Sequence, residues 1–140
     1  MSGKILIIDD EVSQLQLLKM SFDKKGYDVR CATTGRDGLT QHKEFKPEVV
    51  ILDIRLPDMD GFEILEELRK QKQPTIMITA FHDMEITVKA MKMGASEFVM
   101  KPIDLDELHR AVLRTLKVVR STESEIPASR KSSIRAGTFP

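Results

Sequence analysis

The 140-residue chain has a single cysteine, Cys31. One cysteine excludes an intramolecular disulfide and a multi-cysteine metal site, and it suits a reducing, cytoplasmic setting. The three histidines, His42, His82 and His109, have no metal-ligand spacing among them. There is no excess of charge either: 22 basic and 22 acidic residues give a net charge of +0. Modules that coat nucleic acid are usually strongly basic, so direct nucleic-acid binding by this segment is not expected. No apolar run approaches the roughly 20 residues of a membrane span, and no membrane role is expected. Met1-Ser2-Gly3-Lys4 runs straight into a strand, without the pattern of a signal peptide. A Gly-rich phosphate loop is missing after that strand, where Asp9-Asp10-Glu11 would repel a nucleotide's phosphates. Residues 1–120 contain no internal repeat and no low-complexity segment.

What the chain does have is apolar residues, 41% of the total, arranged in short runs. Val49-Val50-Ile51-Leu52 is unbroken and three of its members are β-branched, as in a strand buried on both faces of a parallel sheet. Ile5-Leu6-Ile7-Ile8 and Thr75-Ile76-Met77-Ile78-Thr79 read the same way. Tyr27–Ala32 is more polar and suits an edge, and Glu97–Met100 is a last short strand. Helices are expected between them. One carries Leu15, Leu18 and Phe22; one runs from Gly35 to near Phe45; one is opened by Gly61 and carries Ile64, Leu65 and Leu68. A fourth has Asp83 as N-cap with Ile86, Ala90 and Met93 inward. The last is capped by Asp104, with Leu105, Leu108, Val112, Leu116 and Val119 at helical spacing. Five alternations of strand and helix predict a three-layer, doubly wound α/β domain with a parallel sheet. Residues 1–120 are expected to form it. Residues 121–140, rich in Ser, Thr, Arg and Lys, are expected to be a polar linker or disordered tail.

The central strands all end on polar residues: Asp9 and Asp10, Asp53, Thr79, and Lys101. In a parallel sheet these ends share one edge, where open α/β sheets place their ligands. Each residue has a plain structural reading. Asp9, Asp10 or Asp53 can cap a turn or helix, Thr79 can be a strand-end hydroxyl, Lys101 a solvated lysine and Phe98 core packing. Met84, Met91 and Met93 read as core or interface filler. The joint occurrence of Asp9, Asp10, Asp53, Thr79 and Lys101 at consecutive strand ends points elsewhere. Three carboxylates repel unless cations intervene. One lysine and a hard divalent cation, Mg²⁺ or Mn²⁺, would balance them. Phosphoryl transfer needs little more than a positioned nucleophile, for which Asp53 is placed, a metal, and donors such as Thr79 and Lys101.

With Asp9-Asp10, Asp53, Thr79 and Lys101-Pro102 in place, residues 3–120 resemble the response-regulator receiver domain of two-component signalling, with its chemotaxis-regulator-like fold. The stretches Asp53–Gly61 and Met93–Pro102 resemble receivers at the N-terminus of sigma-54-dependent transcription activators. The resemblance implies a flavodoxin-like five-stranded sheet of order 2-1-3-4-5. It implies that Asp53 accepts a phosphoryl group from a histidine kinase or phosphotransfer protein, and that Asp9, Asp10, Asp53 and the backbone carbonyl of Arg55 bind Mg²⁺. Thr79 and Lys101 would contact the phosphoryl group, Thr79 and Phe98 would form the switch, and Lys101–Pro102 would be cis. The domain would promote its own phosphorylation and slow dephosphorylation without being an enzyme. Its α4-β5-α5 face would control a homodimer or an output domain. The polar tail favours a piece of a longer regulator over the alternative, a stand-alone receiver in a phosphorelay.

Three other functions compete. A haloacid-dehalogenase-type phosphatase needs an acid two positions after its nucleophile, where this chain has Arg55. A nucleotide-binding module needs the missing Gly-rich loop. A receiver used only for protein contacts would not need the complete acidic set.

Overall fold

The computed structural model describes residues 3–125. Five strands, β1 (Lys4–Ile8), β2 (Asp28–Ala32), β3 (Val49–Asp53), β4 (Thr75–Thr79) and β5 (Glu97–Met100), form one parallel sheet in the order β2-β1-β3-β4-β5. Five helices connect or follow them: α1 (Val12–Lys24), α2 (Gly35–Phe45), α3 (Gly61–Lys70), α4 (Met84–Lys92) and α5 (Leu105–Glu125). This is the flavodoxin-like architecture, with β2 at an edge as its polar sequence predicts.

Every residue of β3 and β4 is buried, which is why their apolar runs show no alternation. The alternation is present in the packing. Ile5, Ile7, Val49, Ile51, Ile76, Ile78 and Val99 face a core closed by Leu15, Leu18 and Phe22 of α1 and Leu108, Val112 and Leu116 of α5. Leu6, Ile8, Val50, Leu52 and Met77 face the opposite core, closed by Phe45, Ile64, Leu65, Leu68 and Ala90. Asp9 and Asp53 continue the first parity and Thr79 the second.

Helix starts follow their caps. The Thr34 hydroxyl accepts from the Asp37 N–H at 3.1 Å. Asp60 and Glu63 form a reciprocal capping box at α3. The Asp104 carboxylate accepts from the Asp106 and Glu107 N–H groups at 2.9 and 3.2 Å. Asp83 departs from expectation. It occupies the N-cap position of α4, as the last residue of a 3₁₀ turn (Phe81–Asp83), but its side chain caps nothing, because a distant arginine takes the carboxylate. In α4 the fully buried residues are Thr87 and Ala90, while Ile86 and Met93 are only partly buried. Helix α5 reaches Glu125, so the domain boundary expected at residue 120 falls inside it. The rest of the expected tail, 126–140, lies outside the described residues.

Gly61 marks a close approach. A Cβ there would lie 2.5 Å from the Ile54 carbonyl oxygen, a backbone atom of the loop that follows Asp53. Gly61→Ala is therefore expected to cost about 2 kcal/mol, measured by urea unfolding, despite alanine's better helix propensity.

The α1–α5 side carries a titratable contact. The His109 ring packs edge-on against Phe22 and Tyr27, and its Nε2 lies 3.3 Å from the Tyr27 hydroxyl. Burial, with the charge of Lys25, holds the His109 pKa below the ordinary value despite Asp106. The unfolded chain then binds this proton more readily than the folded one. This stability is fully present above about pH 6.5 and is lost as pH falls through the lowered folded value. The loss on acidification, followed by thermal melts, should be smaller in His109→Phe.

Candidate functional site

The register sets the site. Ile8 pairs with Leu52, so the next residue, Asp9, falls beside Asp53. Asp53 pairs with Ile78 and Thr79 with Met100. Asp9, Asp53, Thr79 and Lys101 thus stand at successive strand ends. The Lys101–Pro102 peptide is cis.

Asp53 is 3% exposed. Its Oδ1 accepts the Arg55 N–H at 2.9 Å and its Oδ2 accepts Lys101 Nζ at 3.0 Å. The turn-capping reading of Asp53 and the ion-pair reading therefore hold at once, one on each oxygen. Asp9 is similarly engaged: Oδ1 accepts the Glu11 N–H at 2.9 Å and Oδ2 accepts Gln14 Nε2. Asp10 is exposed. Oxygens of Asp9, Asp10 and Asp53 all lie within 4.8 Å of one another.

Burial raises the Asp53 pKa and the Asp9 charge adds to that. The Arg55 N–H and Lys101 oppose the rise without cancelling it. Burial likewise pulls Lys101 down, but the hydrogen bond and charge of Asp53, with the charges of Asp9 and Glu11, outweigh it, and the net shift is upward. At an effective dielectric near 20, two carboxylate oxygens 4.8 Å apart repel by roughly 3.5 kcal/mol, and an ammonium 3.0 Å from one attracts by roughly 5.5. Lys101 also feels Asp9 and Glu11, but one positive charge against the three carboxylates leaves the cluster net negative. All the donors are hard oxygens. The cluster fits a divalent cation of the Mg²⁺ type, held by Asp9, Asp10 and Asp53.

Thr79 is buried at the same edge, and its hydroxyl is engaged by α4. Its hydroxyl lies 2.6 Å from that of Thr87 on α4, and Thr87 in turn donates to the Asp83 carbonyl at 3.0 Å. Phe98, on the neighbouring edge strand, is 38% exposed, so it is not a fixed core residue. Met77 pairs with Phe98, which puts Phe98 and Thr79 on the same face of the sheet.

Sequence reasoning placed Arg55 beside the site but missed its side-chain contact, the buried role of Asp83, and Thr87. The Arg55 guanidinium reaches across to Asp83: Nε donates to Oδ2 at 3.2 Å and Nη2 to Oδ1. Asp83 is 3% exposed. The Arg55 hydrogen bond holds its pKa low, against a smaller effect of burial. Thr87 is the third. Its one sequence signal was a polar residue on the inward side of a helix.

Residues 5–113 match the family described as response regulator receiver domain. The chain is 40% identical over 126 residues to the regulatory protein AtoC of Escherichia coli, covering 89% of this chain and 27% of that protein. It is 34% identical over 131 residues to the alkaline phosphatase synthesis transcriptional regulatory protein PhoP of Bacillus subtilis, covering 92% and 53%. The solved receiver domain of NtrX from Brucella abortus superimposes with a TM-score of 0.77 at 32% identity, covering 81% of this chain and 98% of that one. The chain spans about a quarter to a half of the length of these curated relatives.

Saturating Mg²⁺ should raise the unfolding temperature of the wild type, since a ligand specific for the folded state stabilises it. Asp10→Ala should lose most of that rise. An undiminished rise would locate the cation elsewhere.

Proposed function

The chain belongs to the response regulator receiver domain family, and from that membership we propose that it is a phosphorylation-dependent signalling switch whose Asp53 accepts a phosphoryl group from a histidine kinase or phosphotransfer protein. The observation that carries this reading is a buried carboxylate, paired with Lys101 at 3.0 Å, within 4.8 Å of two further acids at the edge of a parallel sheet. A fixed ion pair has no use for the two extra acids. A phosphoacceptor has a use for all of them.

The Arg55 N–H fixes the rotation of the Asp53 carboxylate by holding Oδ1. A carboxylate oxygen attacks phosphorus, the new P–O bond forms, and the P–N bond to the donor histidine breaks, leaving the electron pair on the imidazole nitrogen. Lys101, already on Oδ2, follows the charge onto the phosphoryl oxygens. Asp9, Asp10, Asp53 and the Arg55 carbonyl would hold Mg²⁺ or Mn²⁺, which when bound neutralises charge on the phosphoryl oxygens. Water reverses the modification slowly. The domain thus promotes its own modification but turns over no separate substrate.

Phosphorylation gives Thr79 a new acceptor. Its rotation toward Asp53 would leave room near Phe98, on the same face, to turn inward. The face formed by α4, β5 and α5 would then change and control a homodimer or an output domain. The name of the Bacillus subtilis relative, a transcriptional regulatory protein, supports transcription regulation as that output.

Asp53→Asn should take up no label from a small phosphodonor such as acetyl phosphate, while keeping a wild-type circular-dichroism spectrum. Equal labelling of variant and wild type would defeat this reading.

A further inference from the structure

The residues that would answer phosphorylation are already engaged, and one helical turn engages them. The Thr87 hydroxyl lies 3.0 Å from the Asp83 carbonyl. Either hydroxyl can donate in the 2.6 Å contact between Thr79 and Thr87, and the nearer carbonyl, that of Asp83 beside Thr87, favours the arrangement in which Thr79 donates to Thr87. The other acceptor open to Thr79, the Ala80 carbonyl, is more distant at 3.4 Å. In that arrangement the single Thr79 proton points at α4. The Arg55 side chain, on the loop whose backbone N–H holds Asp53, is drawn to the buried Asp83 carboxylate by a two-pronged contact. Both groups on the receiving side, Asp83 and Thr87, are at most 3% exposed, and so is Thr79. The helix they begin has only Thr87 and Ala90 fully buried. Apolar burial is therefore a small part of what holds α4, and these polar contacts are correspondingly large.

Resting on the phosphoacceptor reading of Asp53, we propose that Asp83 and Thr87 are positioning residues: together they form a clasp in the first turn of α4 that holds the Thr79 hydroxyl and the Arg55 guanidinium away from Asp53. The clasp sets how readily the domain enters its phosphorylated conformation. Thr79 cannot donate to a phosphoryl oxygen without releasing Thr87. A dianion at Asp53 and the carboxylate of Asp83 compete for Arg55. When both contacts open, α4 loses its tie to the Asp53 loop.

Thr87→Val and Asp83→Asn keep the shapes of the side chains and remove one arm each; Thr87→Ser keeps the hydroxyl. Two measurements are made on all four proteins. Amide hydrogen exchange across Met84–Lys92 is followed without any phosphoryl mimic. It should be about tenfold faster in Thr87→Val and Asp83→Asn and unchanged in Thr87→Ser. Affinity for beryllofluoride with Mg²⁺ should rise about three- to tenfold in the first two, because less of each protein is held in the competing conformation. A merely structural role for these residues would loosen α4 and leave the affinity equal or lower. Either that result, or unchanged exchange, overturns the clasp. A wild type that takes up no beryllofluoride defeats the phosphoacceptor reading alone. The exchange result then decides whether the two residues hold α4.

Discussion

Three carboxylates brought to one edge of a parallel sheet repel one another, and most of this molecule's particulars follow from how that repulsion is contained. The sheet register leaves no freedom to separate Asp9 from Asp53, since the residues just before them are paired. Lys101 offsets part of the repulsion and is itself drawn in by the acids around it. Asp9 is held through both oxygens. The remaining imbalance suits the cluster to a cation, and the Asp9 charge adds to the burial that raises the Asp53 pKa. An edge assembled only for stability would not bury Asp9 and Asp53 there, because replacing like charges by apolar groups is the cheaper solution.

The legible parts of the molecule were those written in local patterns. Unbroken β-branched runs gave the central strands, polar spacing gave the edge strand, and the helix stripes gave the two cores. The acids, the hydroxyl and the lysine were legible because they terminate those runs. The illegible parts depend on pairs far apart in sequence. Arg55 and Asp83 are 28 residues apart, and no periodicity connects them. Asp83 looked like a helix cap because capping is the local use of an aspartate there, and a long-range guanidinium outcompeted it. Residue type alone left Phe98 reading as core, and only the family resemblance set it at the switch; its exposure follows from an edge position that the order of the strands decides.

Stability is spread unevenly, and the unevenness matches the division of labour. Strands β3 and β4 are buried throughout, and α1 and α5 close their core with large side chains. Such a core is a rigid platform for the carboxylates. Helix α4, with nine residues and two small buried side chains, sits at the other extreme. Local opening is drawn from the weakly packed end of a structure, so any motion driven from the site would have α4 as its cheapest outlet.

The two-residue period of the strands has a last consequence. Asp53 shares the parity of Ile51 and Thr79 that of Met77, so the carboxylate and the Thr79 hydroxyl belong to opposite layers of the sandwich. Chemistry on the α1–α5 layer is thereby brought within reach of a side chain rooted in the α2–α3–α4 layer. The sheet works as a partition between the two layers, and Thr79 stands at its rim. Slide β4 by one residue against β3 and the two side chains would lie in one layer, leaving Asp53 no partner at the rim rooted in the other.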